Sequence, residues 1–466
     1  MEEIYAQNFQ QAILKAKFLI ENHKEQVDVP GLQLAISIDG NLIWSENMGY
    51  SDIDSTKSVT DQTQFRTASV AKPLTSIALG KLLENNLIKL DTRVKDLLPE
   101  MPAHIHEITV QQLASSTSGI RHYLAKDPQY STENFATVTD ALEVFKKDPL
   151  AFTPGSQYSY SSFGWVLLSA MMEKASDHSF NQIMTNTWKA LGASNTTFDS
   201  PDYISPHKSN FYVANSKGER IKAPFENRSF MYAGGGYLST AIDLVTIGEH
   251  ILNHKYLTSQ TFATLTNPIK LSNGKNTYYG LGWEINRSRK DFQIFYHNGS
   301  MPTARTHWVL VPEENIVFAY LSNTGQNVFF NDREAHSIVE IFYEAKQLNK
   351  HEVHEEITGN YRGKITSLKG KSKKASLQLI VDNNGLISGE LSYTRSRRNG
   401  HYPIILIAEK EGIYHFMAPT PMFADFYLRI TEHGNLEGFW QHDLVNKPNE
   451  EVDTYWKKRE VALFKE

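Results

Sequence analysis

The 466-residue chain contains no cysteine. This absence excludes disulfide bonds, thiolate metal ligands and a cysteine nucleophile. It does not identify the compartment, because a secreted protein can also lack cysteine. Long apolar runs are missing as well, and no run in the sequence has the length needed to span a bilayer.

The amino-terminal segment lacks the basic head and apolar core of a secretory signal peptide. The chain as written is therefore predicted to be cytoplasmic, and periplasmic or secreted if a leader has been removed. Neither sign of charge dominates, since 47 basic residues face 52 acidic ones for a net charge of -5. This balance gives no reason to expect nucleic acid or an anionic membrane as a partner. It leaves the oligomeric state open.

Hydrophobic residues make up 40% of the chain and charged residues 21%, which is typical of folded proteins. Asp39-Gly40 between two alternating runs predicts a two-residue β-hairpin turn. The remaining patterns predict an amphipathic helix over 9–22, a helix starting near Ser69, a loop-rich helical middle, strands over 278–285, 292–297 and 306–323, and a helix over 332–348. This order predicts an α/β (α+β) fold, with an antiparallel sheet flanked by helices and a helical insert.

A polar, charged stretch at 348–356 predicts a boundary between a first domain, 1–348, and a second domain, 355–466. Beyond it, short strands alternate with turn signals such as the Asp-Asn-Asn-Gly at 382–385. This pattern is typical of an up-and-down antiparallel barrel or a sandwich. The pattern does not reveal what the second domain does.

Ser69 and Lys72 stand three residues apart at the start of an apolar-periodic helix, and this spacing puts both side chains on one face. A serine hydroxyl becomes a nucleophile when a neighbouring base accepts its proton. Free backbone N–H groups at a helix start suit a developing oxyanion. Such pairs are also common on solvated helices, and the pair alone slightly favours that ordinary interpretation.

Two further motifs occur in the same chain. A tyrosine of the segment Tyr158 to Tyr160 can have its pKa lowered by a lysine ammonium and then transfer protons, or it can be a packing aromatic. In His297-Asn298-Gly299-Ser300, glycine allows close approach of a substrate, the Ser300 N–H suits an oxyanion, and His297 can donate or relay a proton. Each motif alone is weak. Their joint occurrence at element boundaries favours catalysis.

The three motifs together resemble the serine β-lactamase-like, penicillin-binding-protein-like hydrolase family, which includes class C β-lactamases, D-aminopeptidases and esterases. The family patterns are Ser-x-x-Lys, Tyr-x-Asn and Lys/His-x-Gly, and the resemblance covers about the first three quarters of the chain. The glycine-rich stretch at 232–240 is also similar. Segments 118–123, 147–156 and 160–165 are similar to the mitochondrial serine β-lactamase-like branch.

This resemblance implies a role for each motif residue. Ser69 would be the acylated nucleophile, Lys72 its activating partner, Tyr160 the general base and acid, and His297 the residue of the third motif. Tyr123 would line the cleft. The family chemistry needs no metal and no organic cofactor, and the second domain resembles the lipocalin-like barrels attached to some members.

Two positions depart from the family pattern. Ser162 stands where most members have asparagine, so an amide contact to substrate is shortened or lost. His297 stands where β-lactamases have lysine, and histidine is mostly neutral at pH 7. The site thus lacks a fixed positive charge for a substrate carboxylate, which argues against β-lactams and D-Ala-D-Ala peptides.

The expected function is hydrolysis of an amide, peptide or ester through an acyl-enzyme. The oxyanion would be held by the backbone N–H groups of Ser69 and Ser300, with Gly299 and Ser162 also facing the substrate. A peptidase-like activity is favoured. The alternatives are a short-chain carboxylesterase and a non-catalytic binding or scaffold protein that retains the fold.

Overall fold

The computed structural model describes residues 2–127, 134–288, 290–325, 330, 332–347, 354–366, 370–395, 398–419, 424–442 and 459–466. Most of the predicted boundary stretch at 348–356 lies outside these residues, so that boundary stays a prediction. The chain divides into two compact units. One consists of residues 29–328, and the other combines residues 1–28 with 329–466.

The α-helices of the described residues are α1 (Glu2–Val27), α2 (Ala71–Glu84), α3 (Val94–Leu97), α4 (Val110–Ala114), α5 (Val138–Leu142), α6 (Ser162–Ser176), α7 (Phe180–Ala190), α8 (Tyr232–Gly235), α9 (Ala241–Leu252), α10 (Ser259–Thr266) and α11 (Asp332–Gln347). The strands of the first unit are β1 (Gly31–Ile38), β2 (Asn41–Asp52), β3 (Lys57–Ser58), β4 (Phe65–Arg66), β5 (Thr197–Phe198), β6 (Tyr212–Ala214), β7 (Arg220–Lys222), β8 (Tyr237–Ser239), β9 (Glu284–Arg287), β10 (Gln293–Met301), β11 (Ala304–Val311) and β12 (Ile316–Ser322). The strands of the second unit are β13 (Gly359–Thr366), β14 (Ser372–Val381), β15 (Ile387–Arg395), β16 (Arg398–Lys410), β17 (Ile413–Ala418), β18 (Ala424–Ile430), β19 (Leu436–His442) and β20 (Arg459–Lys465).

A seven-stranded antiparallel sheet forms the centre of the first unit, with strand order β3-β2-β1-β12-β11-β10-β9. Every residue of β1 and of β12 is buried, so these central strands are covered on both faces. Between β3 and β9 the chain forms helices α2 to α10 and short strands. The predicted antiparallel sheet with flanking helices and a helical insert is confirmed.

At two places in this unit, residues with positive φ determine where a strand begins or ends. Asp39 and Gly40 both have positive φ, 53° and 80°, as the predicted two-residue hairpin turn requires. The strand predicted over 278–285 is wrong for most of its length, because β9 begins only at Glu284. Tyr278 and Gly282 have φ of 52° and 89°, and such positive values break an extended strand.

Eight strands of the second unit, β13 to β20, close into an antiparallel barrel in which each strand pairs with the next in sequence. β13 pairs with β20, and this closure leaves no free sheet edge. Side chains alternate along β14, where Ala375, Leu377 and Leu379 are buried and their neighbours are more exposed. The predicted barrel is confirmed, while its likeness to lipocalin modules stays a prediction.

Helices long and apolar enough to cross a membrane are absent from the part of the chain that the structure describes.

Close packing of α9 on the central sheet gives a stability prediction. A Cβ on Gly248 would lie 2.5 Å from Cγ1 of Val317 on β12. Alanine is better than glycine in a helix by about 1 kcal/mol, but overpacking a core costs about 1 to 3 kcal/mol. We therefore expect Gly248→Ala to lower the free energy of unfolding by about 1 kcal/mol, as measured by denaturant titration.

The matched control makes the same change in a Val317→Ala background, where the contacting methyl groups are gone. Alanine at position 248 should then be neutral or stabilising relative to Val317→Ala alone. Gly248→Ala that is more stable than the wild type would contradict the packing.

Candidate active site

Ser69 lies in a 3-10 turn, Ala68–Val70, which leads directly into α2. Ala68 and Val70 are buried, while Ser69 is partly exposed. Ala68 has a φ of 46°, a left-handed conformation that costs a residue with a Cβ about 1 to 3 kcal/mol. The backbone immediately before the candidate nucleophile is thus held in a strained geometry by its surroundings.

Lys72 lies one turn after Ser69 on α2, and its side chain is fully buried. Its Nζ is 3.3 Å from Ser69 Oγ and donates a hydrogen bond of 2.6 Å to the carbonyl oxygen of Gly234. Burial lowers the pKa of Lys72 well below its usual value, although the Glu284 carboxylate opposes the shift. A neutral amine can accept the Ser69 proton, so the pair has the form of a base and its nucleophile.

Tyr160 precedes α6, where Ser161 caps the helix by accepting a 3.1 Å hydrogen bond from the Gly164 N–H. The Tyr160 hydroxyl is buried and has no well-aligned hydrogen-bond partner among the described residues, but the Ser69 side chain lies near enough to oppose the rise in its pKa that burial causes. Nζ of Lys72 is 4.6 Å from the centre of the Tyr160 ring. The Ser69 hydroxyl, the Lys72 amine and the Tyr160 side chain, which belong to the first two motifs, therefore lie close together.

The protonation state of Tyr160 differs from the sequence-based expectation. Burial raises the pKa of Tyr160 well above its usual value and outweighs the opposite effect of Ser69. The expectation that a lysine ammonium would lower it is wrong, because burial disfavours the charged form of both groups. The site therefore holds a neutral phenol beside a lysine whose neutral form is favoured.

Strand β10 brings the third motif against the serine. A Cβ on Gly299 would lie 2.3 Å from the carbonyl oxygen of Thr67 and 3.0 Å from Cβ of Ala68. Only glycine fits this contact, so the strand and the Ser69 turn run side by side. The next residue, Ser300, is exposed. This placement suits a pair of backbone N–H donors from Ser69 and Ser300, and that role remains a prediction.

His297 is buried, and its two ring nitrogens are both occupied. Nδ1 donates to the carbonyl oxygen of Asn298 at 2.6 Å, since a carbonyl can only accept. Nε2 then accepts from the hydroxyl of Tyr279 at 3.2 Å. Burial, with Lys72 nearby, lowers the pKa of His297 to about 3. His297 is thus a neutral ring that supplies no positive charge to the site.

Tyr123 and Ser162 both pack closely against Gly234, the residue whose carbonyl accepts a hydrogen bond from Lys72. A Cβ on Gly234 would be 3.1 Å from the Tyr123 hydroxyl and 3.0 Å from Cβ of Ser162. The Ser162 hydroxyl is buried, and burial raises the pKa of the adjacent Tyr123 hydroxyl although its contact with Ser162 opposes the shift. The structure therefore groups these two residues with the serine, the lysine and the tyrosine.

Sequence reasoning missed four residues that surround this group. Tyr279 packs edge-on against Tyr160, with ring centres 6.4 Å apart, and Glu284 acts on the charge of Lys72. Gly234 holds the lysine through its carbonyl, and the ring centre of His122 lies 5.3 Å from that of Tyr160. The segments at 118–123 and 232–240 were recognised as family-like, but they gave no role to His122 or Gly234.

An ion-pair network fixes the loop that carries His122 and Tyr123. Arg121 binds Asp127 through Nη1 at 2.9 Å and Asp148 through Nε at 2.6 Å. The Ser161 hydroxyl donates to the Arg121 carbonyl at 2.9 Å, which ties the same loop to the start of α6. These contacts hold the loop beside Tyr160.

Groups of three or more His, Asp or Glu side chains arranged to hold a metal ion are not found among the described residues.

Comparison with known proteins identifies the family of this chain. The family model described as Beta-lactamase matches residues 17–341. The chain belongs to the beta-lactamase family. Among curated relatives, the mouse mitochondrial serine beta-lactamase-like protein LACTB is 27% identical over 408 residues, covering 66% of this chain and 74% of the relative.

Two solved structures share the fold of this chain. The octameric penicillin-binding protein homologue from Pyrococcus abyssi has a TM-score of 0.63 and 18% identity, covering 96% of this chain and 99% of the other. The D-amino acid amidase from Ochrobactrum anthropi, complexed with D-phenylalanine, has a TM-score of 0.62 and 18% identity, covering 72% and 98%. At these identities the likeness shows the fold alone.

The neutral state of His297 gives a pH prediction. Because its pKa is lowered to about 3, the ring should stay neutral, with the proton on Nδ1, from pH 5 to pH 9. Nitrogen-detected NMR of the 15N-labelled protein, with His297→Asn used to assign the resonance, measures this directly. A ring that gains a proton with a midpoint near 6.5 would contradict the buried, doubly bonded arrangement.

Proposed function

We propose that this chain is a serine hydrolase that cleaves an amide or peptide bond, or an ester, through an acyl-enzyme on Ser69. The observation that carries the proposal is the 3.3 Å separation between Ser69 Oγ and a lysine amine whose pKa is lowered by burial. A nucleophile with a base in hydrogen-bond reach, itself fixed by a third group, is the general arrangement for covalent catalysis. Here the third group is the Gly234 carbonyl.

In the first step Ser69 Oγ attacks the substrate carbonyl carbon while neutral Lys72 takes the hydroxyl proton. The carbonyl oxygen becomes an oxyanion, which the backbone N–H groups of Ser69 and Ser300 would stabilise. Removing one such donor typically costs an enzyme about 10² to 10³ in rate. Gly299 contributes by allowing β10 to approach the Ser69 turn without a side chain between them.

The oxyanion then collapses: its C=O bond re-forms, the bond to the leaving group breaks, and the leaving nitrogen or oxygen needs a proton. Tyr160 is protonated because burial raises its pKa, and its hydroxyl is close to Ser69. The Tyr160 phenol would donate that proton to the leaving group. The Lys72 ammonium would then reprotonate the phenolate, so that the net result is transfer of the Ser69 proton to the leaving group. Water then attacks the acyl carbon, with proton transfer in the reverse direction.

The proposed substrate class rests on the charge state of His297, the residue of the third motif. His297 is neutral, so the third motif offers no fixed cation to a substrate carboxylate. This supports a neutral amide or peptide-like substrate over a β-lactam or a peptide with a free carboxylate at that place. The shared fold with a D-amino acid amidase is consistent with amide chemistry. Ester hydrolysis would use the same steps with a better leaving group.

Labelling with a fluorophosphonate, which reacts with activated serines, tests the proposal. The wild type should be labelled, with the adduct on the peptide containing Ser69, and Ser69→Ala should abolish labelling. Lys72→Met should slow labelling by about 10³ or more, because loss of one member of such a unit removes most of the rate enhancement.

A matched control is Ser76→Ala, since Ser76 is a buried serine on the same helix with an unpartnered hydroxyl. It should be labelled at the wild-type rate. A wild-type protein that is not labelled, or an adduct on another residue, would contradict the assignment of Ser69.

A further inference from the structure

A buried cluster of charged side chains lies beside the two segments that contain the proposed oxyanion donors. The Arg66 guanidinium donates from Nε to Asp199 Oδ2 at 2.6 Å and from Nη1 to a carboxylate oxygen of Glu226. The Phe211 ring packs against the same guanidinium, with 4.0 Å between Cζ and the ring centre. Arg66, Asp199 and Glu226 are all buried. The guanidinium is thus held in one position by its ion pairs, its hydrogen bonds and its packing.

A threonine hydroxyl connects this cluster to the third motif. Pro302 and Thr303 form the two-residue turn between β10 and β11. The Thr303 hydroxyl accepts a hydrogen bond from Arg66 Nη1 at 2.9 Å and donates one to Glu226 Oε2 at 2.7 Å. Loop residues commonly face water, but Thr303 is only 1% exposed. The end of the β10–β11 hairpin is therefore bound to Arg66.

The positions of these residues in the chain link the two proposed donors. Arg66 ends β4, three residues before Ser69, and Thr303 lies three residues after Ser300. A second hydrogen bond joins the same two segments, since the Thr306 hydroxyl of β11 donates to the Arg66 carbonyl at 2.9 Å. The strand before the nucleophile and the hairpin that contains Ser300 are thus connected at two points.

Resting on the proposed acyl-enzyme function, we infer that the Arg66–Thr303 hydrogen bond sets the separation of the Ser69 and Ser300 N–H groups and so positions both for the oxyanion. Catalytic groups need to be held within about 0.5 Å of the productive geometry by side chains that are themselves fixed. Thr303 is then a positioning residue, because it acts through Arg66 and the hairpin. Its effect belongs to the reacting, negative oxygen, which binds N–H donors more strongly than an uncharged carbonyl does.

Thr303→Val tests this inference, because it replaces the hydroxyl by a methyl group of similar size and leaves every charge of the cluster in place. Removing a charged member would instead leave its partner buried and unpaired. In the reaction with a fluorophosphonate, the rate of the covalent step at Ser69 should fall about 10- to 100-fold, since misplacement by about 1 Å can cost about 10²-fold. The reagent concentration that gives half the maximal rate should change less than about twofold.

Phosphorus NMR of the Ser69 adduct gives a second readout, which a general loss of stability would not change. Hydrogen bonds to the phosphoryl oxygen draw electron density from phosphorus. The folded adduct and the same adduct in denaturant should therefore differ in chemical shift. This difference should shrink in Thr303→Val. Thr303→Ser, which keeps the hydroxyl, should restore both the wild-type rate and the wild-type difference.

Thr187→Val is the matched control, because Thr187 on α7 is also a buried threonine whose hydroxyl donates and accepts. It donates to the Ile183 carbonyl at 2.9 Å and accepts from the Tyr256 hydroxyl at 3.2 Å. This variant should keep the wild-type rate and shift. A wild-type rate in Thr303→Val, or a slower rate with an unchanged shift, would overturn the inference.

Thr306→Val takes the place of Thr303→Val if that variant does not fold, because it removes the other hydrogen bond between the two segments. Its rate and shift should change in the same direction, and wild-type values would overturn the inference. A wild-type protein that is not labelled at Ser69 would contradict the proposed function and this inference together. A labelled wild type with an unchanged Thr303→Val contradicts the positioning role alone.

Discussion

The burial of one amine beside one hydroxyl governs the rest of this site. A lysine removed from water loses the stabilisation of its charged form, which costs several kcal/mol for an ion. Lys72 therefore favours the neutral amine, and its Nζ is fixed between Ser69 Oγ and the Gly234 carbonyl. The same burial keeps Tyr160 protonated and His297 neutral. One physical cause, exclusion of water, thus shifts the pKa values of Lys72, Tyr160 and His297.

The fold creates this buried site by bringing two glycines close to the Ser69 turn and to α2. Gly299 of β10 contacts the turn before Ser69, and Gly234 of α8 contacts Ser162 and supplies the carbonyl for Lys72. A side chain at either glycine would displace backbone. The left-handed Ala68 shows that the serine turn itself is strained to meet these contacts. Close backbone approach and local strain are features expected where geometry must be exact for chemistry.

The sequence predicted the sheet, the hairpin at Asp39-Gly40, the barrel and the family, because alternation, turn residues and joint motifs are local signals. It could not predict the direction of the pKa shifts, since these depend on burial by segments far apart in the chain. For the same reason Tyr279, Glu284 and His122 were missed: none lies at a position with a recognisable role. The strand predicted over 278–285 failed because aromatic and apolar composition does not reveal a backbone with positive φ at Tyr278 and Gly282.

The most direct measurement of the central claim is the pH dependence of the rate at which a fluorophosphonate acylates Ser69. A lysine with a lowered pKa is unprotonated above that pKa and loses its ability to accept a proton as the pH falls through it. The account predicts a rate that rises with pH and reaches a plateau well below the ordinary lysine value of 10.5. A rate that keeps rising through pH 10, as for a charged lysine, would contradict it.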